Sequence, residues 1–221
     1  MTAELLVNIT PSETRVAYID GGILQEIHIE RESKRGIVGN IYKGRVSRVL
    51  PGMQAAFVDI GLEKNAYLYA GDVQVDQREL QFGDSKVKMQ EAPNIQDIVR
   101  RDQDIMVQVL REPVGTKGAR VTTHVTLPGR TLVLMPTVNY VGVSRRIGDE
   151  AERRRLRECF ERIKHPDMGV IVRTAAQGKE EAEFVQDLDF LVRLWERIKH
   201  KAGLVRAPRL LHAEEPLVYR T

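Results

Sequence analysis

A chain of 221 residues, 42% hydrophobic and 29% charged, has room for one large or two small domains and enough apolar residues for a core. No run approaches the roughly 20 apolar residues of a spanning helix, which argues against an integral membrane protein. A single cysteine, Cys159, excludes an internal disulfide framework and a cysteine-based zinc site within the chain. The net charge of +3 and pI near 9.0 are mild. The opening MTAELLVNITPSE lacks a basic segment followed by an apolar block, so a cytoplasmic protein without a secretory signal is expected.

Residues 4–31 read as antiparallel strands: Leu5–Thr10, Arg15–Ile19 and, after the hairpin signal Gly21-Gly22, Ile23–Ile29. In the third, Ile23, Gln25, Ile27 and Ile29 alternate with Leu24, Glu26, His28 and Glu30, the pattern of a half-buried strand. Three strands make a poor domain, so a partner later in this chain or in a longer one is expected. Lys34–Val58 then carries Lys34, Arg35, Lys43, Arg45 and Arg48 and no acid. Pro51-Gly52 signals a turn, because proline presets φ and glycine accepts φ > 0. Met53–Ile60 and Ala66–Tyr69 are the strands that follow. Tyr42, Phe57, Tyr67 and Tyr69 fall among the basic residues, a pattern suited to single-stranded nucleic acid: cations follow the backbone and ring faces stack on bases, each stack worth roughly 1–3 kcal/mol. Any one ring fits a small barrel's core; the set fits a binding face.

Gly71–Pro93 is polar and weakly periodic, the signature of a long loop. Asn94–Arg100 reads as a helical turn and Ile105–Leu110 as a strand. Gly115-Thr116-Lys117-Gly118 is a turn presenting one lysine, followed by strands at Arg120–Leu127 and Thr131–Met135. From Asp149, a plausible N-cap, the period changes. Leu156, Cys159, Phe160 and Ile163 place an amphipathic helix over Glu150–Lys164, stopped by Pro166. Met168–Thr174 is a strand. A second helix opens with Glu180, Glu181 and Glu183 and closes with Arg197, Lys199, His200 and Lys201, signs that suit the helix dipole. Its core stripe is Val185, Leu188, Leu191, Trp195 and Ile198. Leu204–Pro208 reads as a linker and Leu210–Tyr219 as a strand.

Chemistry-bearing patterns are few. At the strand end Val172-Arg173-Thr174-Ala175-Ala176, an arginine fork beside a hydroxyl has the geometry for a phosphate monoester, although the commoner role of such a pair is a surface ion pair plus a helix cap. Arg145-Arg146 and Arg153-Arg154-Arg155 are basic clusters of the kind that usually form solvated faces. The five histidines show no metal spacing, no GxSxG or Walker loop occurs, and Asp59, Asp72, Asp102 and Asp104 form no evident two-metal cluster. No catalytic residue is assigned.

Taken in order, Gly39-Asn40-Ile41-Tyr42-Lys43-Gly44, Ala55-Ala56-Phe57-Val58-Asp59-Ile60-Gly61, Gly115-Thr116-Lys117-Gly118, Ser144-Arg145-Arg146-Ile147 and Val172-Arg173-Thr174-Ala175 resemble the N-terminal half of the ribonuclease E/G endoribonucleases, over nearly the whole chain. The resemblance implies an α+β chain. Residues 1–34 would be the first strands of an RNase H-like subdomain, 35–121 an inserted OB-fold (an S-one-type β-barrel), 122–208 a 5′-sensor subdomain, and 209–221 the start of a return into the RNase H-like part. It implies single-stranded RNA on Phe57, Tyr67 and Lys117; Lys43, one of the basic residues of the acid-free stretch, is a further RNA-binding candidate. It also implies a terminal 5′-monophosphate held by Arg173 and Thr174, with backbone contacts at Gly129 and Val133 and support from Arg145. Tyr67 stands where a phenylalanine can occur. Arg101-Asp102-Gln103 stands where such barrels carry glycine before the glutamine; aspartate tolerates a left-handed turn better than most residues and less well than glycine.

The family's magnesium-binding catalytic domain and its paired-cysteine zinc link between protomers would follow Thr221. The resemblance therefore implies an RNA-binding part of a metal-dependent, homo-oligomeric endoribonuclease acting in ribosomal RNA processing and messenger RNA turnover. No cofactor is expected in this chain and no cleavage by it alone. Two other readings remain open: a stand-alone, non-catalytic RNA-binding adaptor, and a scaffold fragment without RNA affinity.

Overall fold

The computed structural model describes residues 3–31, 36–73 and 94–214. The expected long loop at Gly71–Pro93 and the later part of the expected strand Leu210–Tyr219 lie mostly outside them. The chain forms two compact units, one of residues 1–37 and 214–221, the other of residues 38–213.

The first unit is an antiparallel sheet of β1 (Ala3–Ile9), β2 (Glu13–Asp20) and β3 (Ile23–Arg31) in the order β1-β2-β3. Gly21 and Gly22 both take positive φ in the β2–β3 turn, as a two-residue hairpin demands. Glu13 receives both Arg15 and Arg31, which hold its carboxyl below the ordinary range. Val16 alone among the described residues of these strands is buried. The alternation in β3 is therefore real as a pattern, but both of its faces are exposed.

The second unit begins with a five-stranded barrel. Its strands are β4 (Ile41–Leu50), β5 (Ala55–Asp59), β6 (Ala66–Tyr69), β7 (Asp104–Arg111) and β8 (Arg120–Thr122). The order β4-β5-β6-β8-β7 closes because β4 also pairs with β7; only β6–β8 is parallel. This connectivity is consistent with an OB fold of the S-one type. Apart from Leu68, the inward residues are small or β-branched: Val46, Ala56, Val58, Ala66, Val107, Val109 and Val121 are, like Leu68, all buried. Among the described residues, two positions outside glycine take left-handed backbone, Gln54 (φ 49°) and Asp102 (φ 64°). The turn at Pro51-Gly52 forms as a 3-10 turn, Pro51–Met53, but its left-handed residue is Gln54 rather than Gly52. Gln54 is held there by its own amide, which donates to the Pro51 carbonyl and accepts from the Ile95 backbone N–H. Asp102 fits because Asp102 N–H donates to Val46 and Val46 N–H to Gln103, clamping the turn onto β4.

A second, four-stranded sheet follows, with β9 (Leu127–Pro128), β10 (Leu132–Met135), β11 (Val141–Val143) and β12 (Gly169–Val172) in the order β11-β12-β10-β9. Against it pack α2 (Glu150–Ile163) and α3 (Glu181–Leu204); a single helical turn, α1 (Ile95–Ile98), precedes them. Asp149 caps α2, its carboxylate accepting from Ala151 N–H at 2.9 Å. The core joins Leu132, Leu134, Val170 and Val172 of the sheet to Leu156 and Phe160 of α2 and to Phe184, Leu188, Leu191, Trp195 and Ile198 of α3. The expected stripe of α3 is corrected at its start. Val185 is 37% exposed, whereas Phe184 is fully buried and stacks at 4.9 Å on Phe160. A last strand, β13 (Arg209–His212), pairs with β4, so residues expected to begin a return elsewhere first join the barrel sheet.

Candidate nucleic-acid interface

Alternation sets the outer face of the barrel. Ala56 and Val58 point inward on β5, and Ala66 and Leu68 on β6, which leaves Phe57, Tyr67 and Tyr69 outside. Register then lines up one row across four strands: Arg48 opposite Phe57, Phe57 opposite Tyr67, Tyr67 opposite Arg120. The two half-buried rings meet edge to face, centroids 6.2 Å apart with planes at 71°, so each fixes the other's orientation while keeping surface open to solvent. Arg120 is turned onto Asp72, with Nε and Nη2 both donating to one oxygen at 3.0 and 2.7 Å. Arg48 is exposed and faces no carboxylate partner among the described residues.

Lys117 is carried on a fixed platform. Val114 and Lys117 exchange backbone hydrogen bonds, and the Lys64 ammonium donates to the Gly115 carbonyl at 2.6 Å. Gly118 lies so close to the next strand that a Cβ there would stand 1.9 Å from the Asn65 carbonyl oxygen. Just beyond, Tyr67 N–H donates to the Ala119 carbonyl at 2.7 Å, tying the lysine turn to the ring-bearing strand. The Lys117 side chain itself is exposed.

Lys43 is differently engaged. Its ammonium donates to the carbonyls of Ala202 and Val205 at 2.9 Å each and lies 3.6 Å from Asp104. It thus closes the C-terminal end of α3 against the barrel. Arg45 donates to the same Asp104 at 2.9 Å and, with Lys43, holds that carboxyl below the ordinary range.

The second cluster forms where three strands of the other sheet end together. Arg173 N–H donates to the Thr131 carbonyl, extending the β10–β12 ladder, and Ser144 N–H donates to Val172, extending β11–β12. This places the hydroxyls of Ser144 and Thr174 3.3 Å apart. The Arg173 guanidinium donates through Nη1 to the Gly129 carbonyl at 2.6 Å. Gly129 N–H is taken by the Leu132 carbonyl, and Val133 sits in mid-ladder between Pro128 and Ile171. Arg145 is exposed beside Ser144 and has no carboxylate partner among the described residues. Structure, then, brings Arg173, Thr174, Gly129 and Arg145 to one sheet end.

Neighbours not singled out from the sequence complete both places. Asp187 accepts from Thr131 N–H and Thr131 Oγ1 at 2.7 Å each, fixing the 129–131 loop. Gly129 leaves room for it: a Cβ there would meet the Asp187 carboxylate at 2.7 Å and push it from this position. Arg153 donates to the carbonyls of Ser144 and Ile147. Glu152 accepts from Arg155 and from Gly178 N–H, which holds its carboxyl down at about 2 and ties α2 to the turn after Thr174. Ser144 was visible as the residue before Arg145-Arg146; Asp187 carried no local signal, because its partner lies 56 residues away. Among the described residues, no group of three or more His, Cys, Asp or Glu side chains could hold a metal ion. No helix among them is long and apolar enough to cross a membrane.

An OB-type barrel with an outward aromatic pair, continued into a mixed sheet covered by two helices, thus defines this α+β chain. The model of the ribonuclease E/G family matches residues 126–221. Ribonuclease G of Escherichia coli (strain K12) is 56% identical over 220 residues, covering all of this chain and 45% of that protein. Ribonuclease G of Haemophilus influenzae is 51% identical over 217 residues (98% of this chain, 44% of that protein), and ribonuclease E of a Nostoc species 42% identical over 184 residues (83% and 25%). The chain belongs to the ribonuclease E/G family. It spans a little under half the length of the ribonuclease G relatives and aligns with their N-terminal part.

Proposed function

We propose that this chain is the RNA-binding and 5′-monophosphate-sensing part of a ribonuclease G/E-like endoribonuclease that acts in ribosomal RNA processing and messenger RNA turnover in the cytoplasm. The observation that carries the reading is the outward row Arg48–Phe57–Tyr67–Arg120 on a closed barrel, with Lys117 on its pinned turn beside it. Two rings held edge to face offer stacking surface to unpaired bases of any sequence, and the exposed cations Arg48 and Lys117 suit the backbone, while Arg120 is held on Asp72. Arg173, the paired Ser144 and Thr174 hydroxyls and Arg145 supply a fork, two hydroxyls and a second cation for a terminal phosphate monoester. On this reading the first sheet belongs to an RNase H-like subdomain and residues 122–208 form the 5′-sensor. Lys43, whose ammonium is bound within the chain, serves the barrel–helix junction. The described residues offer no donor set for the magnesium or zinc of the family, so no step is assigned to a metal here.

The test of the barrel face is RNA affinity. Phe57→Ala should weaken binding of a single-stranded RNA by roughly 5- to 150-fold, the value of one lost stack, with little dependence on sequence. Unchanged affinity in a folded Phe57→Ala protein would remove the rings from the interface.

A further inference from the structure

Beside the ring pair the barrel carries a cleft that the reading above does not use. Its volume is about 480 Å³, and it lies between the end of β4 and the segment running from α1 into β7, lined by Ser47, Arg48, Val49, Pro51, Gln96, Val99 and the pair Arg100-Arg101. None of its described lining residues is acidic. All three arginines are exposed. Arg48 and Arg100 have no carboxylate partner among the described residues. Arg101 meets only Asp102, at 3.8 Å with both side chains 77% exposed, a pairing worth little in water. The floor is firm: Val99 is buried, and Arg100 N–H donates to the Gln103 side chain at 2.9 Å. Arg48 belongs to both places, since it lines the cleft and stands directly opposite Phe57.

We propose that this cleft is a second RNA subsite, taking backbone phosphates of the strand whose bases stack on Phe57 and Tyr67. The inference rests on the RNA-binding reading of the barrel face. Three exposed guanidiniums, two without a carboxylate partner among the described residues and one in a loose solvent-exposed pair, around a concave surface with no acid among its described lining residues, hold phosphodiesters without reading bases. Arg48 makes the surface continuous with the rings, so the strand would leave the aromatic pair toward the loop between α1 and β7. Arg100 and Arg101 would then each neutralise one phosphate.

The probe is a 5′-hydroxyl oligouridylate of about 16 nucleotides, the upper end of one OB-fold footprint. Its affinity is measured as a function of salt for the chain and its variants. Joint Arg100→Ala and Arg101→Ala should lower the slope of log K against log salt by about 1.4, at about 0.7 per phosphate on a single strand. The loss of affinity between 50 and 200 mM salt should then be about sevenfold smaller than in the parent chain. Arg100→Lys with Arg101→Lys should keep the slope, because the charges remain. Arg193→Ala with Arg197→Ala, which removes two exposed charges from α3, should also keep it. An unchanged slope in the Arg100/Arg101 alanine variant overturns the proposal. If inorganic phosphate then raises the unfolding temperature of the parent and not of that variant, the cleft is a free-anion site. Phe57→Ala in the same assay separates the two claims: loss of affinity there, with an intact slope in the arginine variant, keeps the barrel face and rejects the cleft.

Discussion

Gly118 shows how one residue positions the turn that carries Lys117. It lacks the Cβ that would strike the Asn65 carbonyl, and so lets the Lys117 turn lie against the ring-bearing strand. Gly118→Ala should cost about 1–3 kcal/mol by overpacking and should weaken RNA binding as well, visible as a lower melting temperature together with reduced affinity. Glu152 works through charge. Its carboxyl is held at about 2 instead of 4.5 by Arg155 and then by the Gly178 N–H. A lowered folded value contributes stability that is complete above about pH 4.5 and is lost as pH falls toward 2. Glu152→Gln should therefore lower the melting temperature at neutral pH, with the gap to the parent closing between about pH 4.5 and 2. A gap that stays constant with pH would remove the carboxylate's charge from the account. At this scale the sequence was informative where a residue acts locally. Asp102 takes the left-handed turn although it stands where glycine is usual, and Asp149 caps its helix. It was silent where partners are distant: nothing near Lys43 reveals carbonyls about 160 residues away, and nothing near Asp187 reveals Thr131.

Elements were legible in proportion to their periodicity. The helix α2 and the strands β5 and β6 follow from spacing and alternation, and their bounds differ from expectation by only a few residues. The core stripe of α3 fails at one end, because Val185 and Phe184 are adjacent and either fits the helical repeat from Leu188. Packing decides between them: Phe160 lies across the interface, and the larger ring fills the space. Phe184→Ala should accordingly cost about 3–5 kcal/mol, while Val185→Ala should change stability little, a contrast that chemical denaturation measures directly. The β-branched run at Arg120–Leu127 breaks after Thr122, where its hydroxyl turns to the Asp72 carbonyl and the chain leaves the barrel for the second sheet. The strand β11 carried no length signal. Three residues become a strand only because β12 offers a parallel edge.

At the level of the whole molecule, closure of β4 on both β5 and β7 gives the barrel a convex face without a free edge between those strands. The strand β13 and the α3 terminus then fasten barrel and second sheet into one unit through Lys43, through Lys201 on the Leu211 carbonyl and through a shared core that includes Ile41 and Leu211. The ring row and the Arg173–Thr174 cluster therefore sit on one folded body. The most direct test compares the affinity of this chain for a short single-stranded RNA bearing a 5′-monophosphate with that for the same RNA bearing a 5′-hydroxyl, repeated with Arg173→Ala. The account predicts a preference for the monophosphate that Arg173→Ala abolishes while 5′-hydroxyl binding is unchanged. Equal affinity for the two RNAs in the parent chain, unaltered by Arg173→Ala, would contradict it and leave Arg173 as a strand-end residue bound to the Gly129 carbonyl.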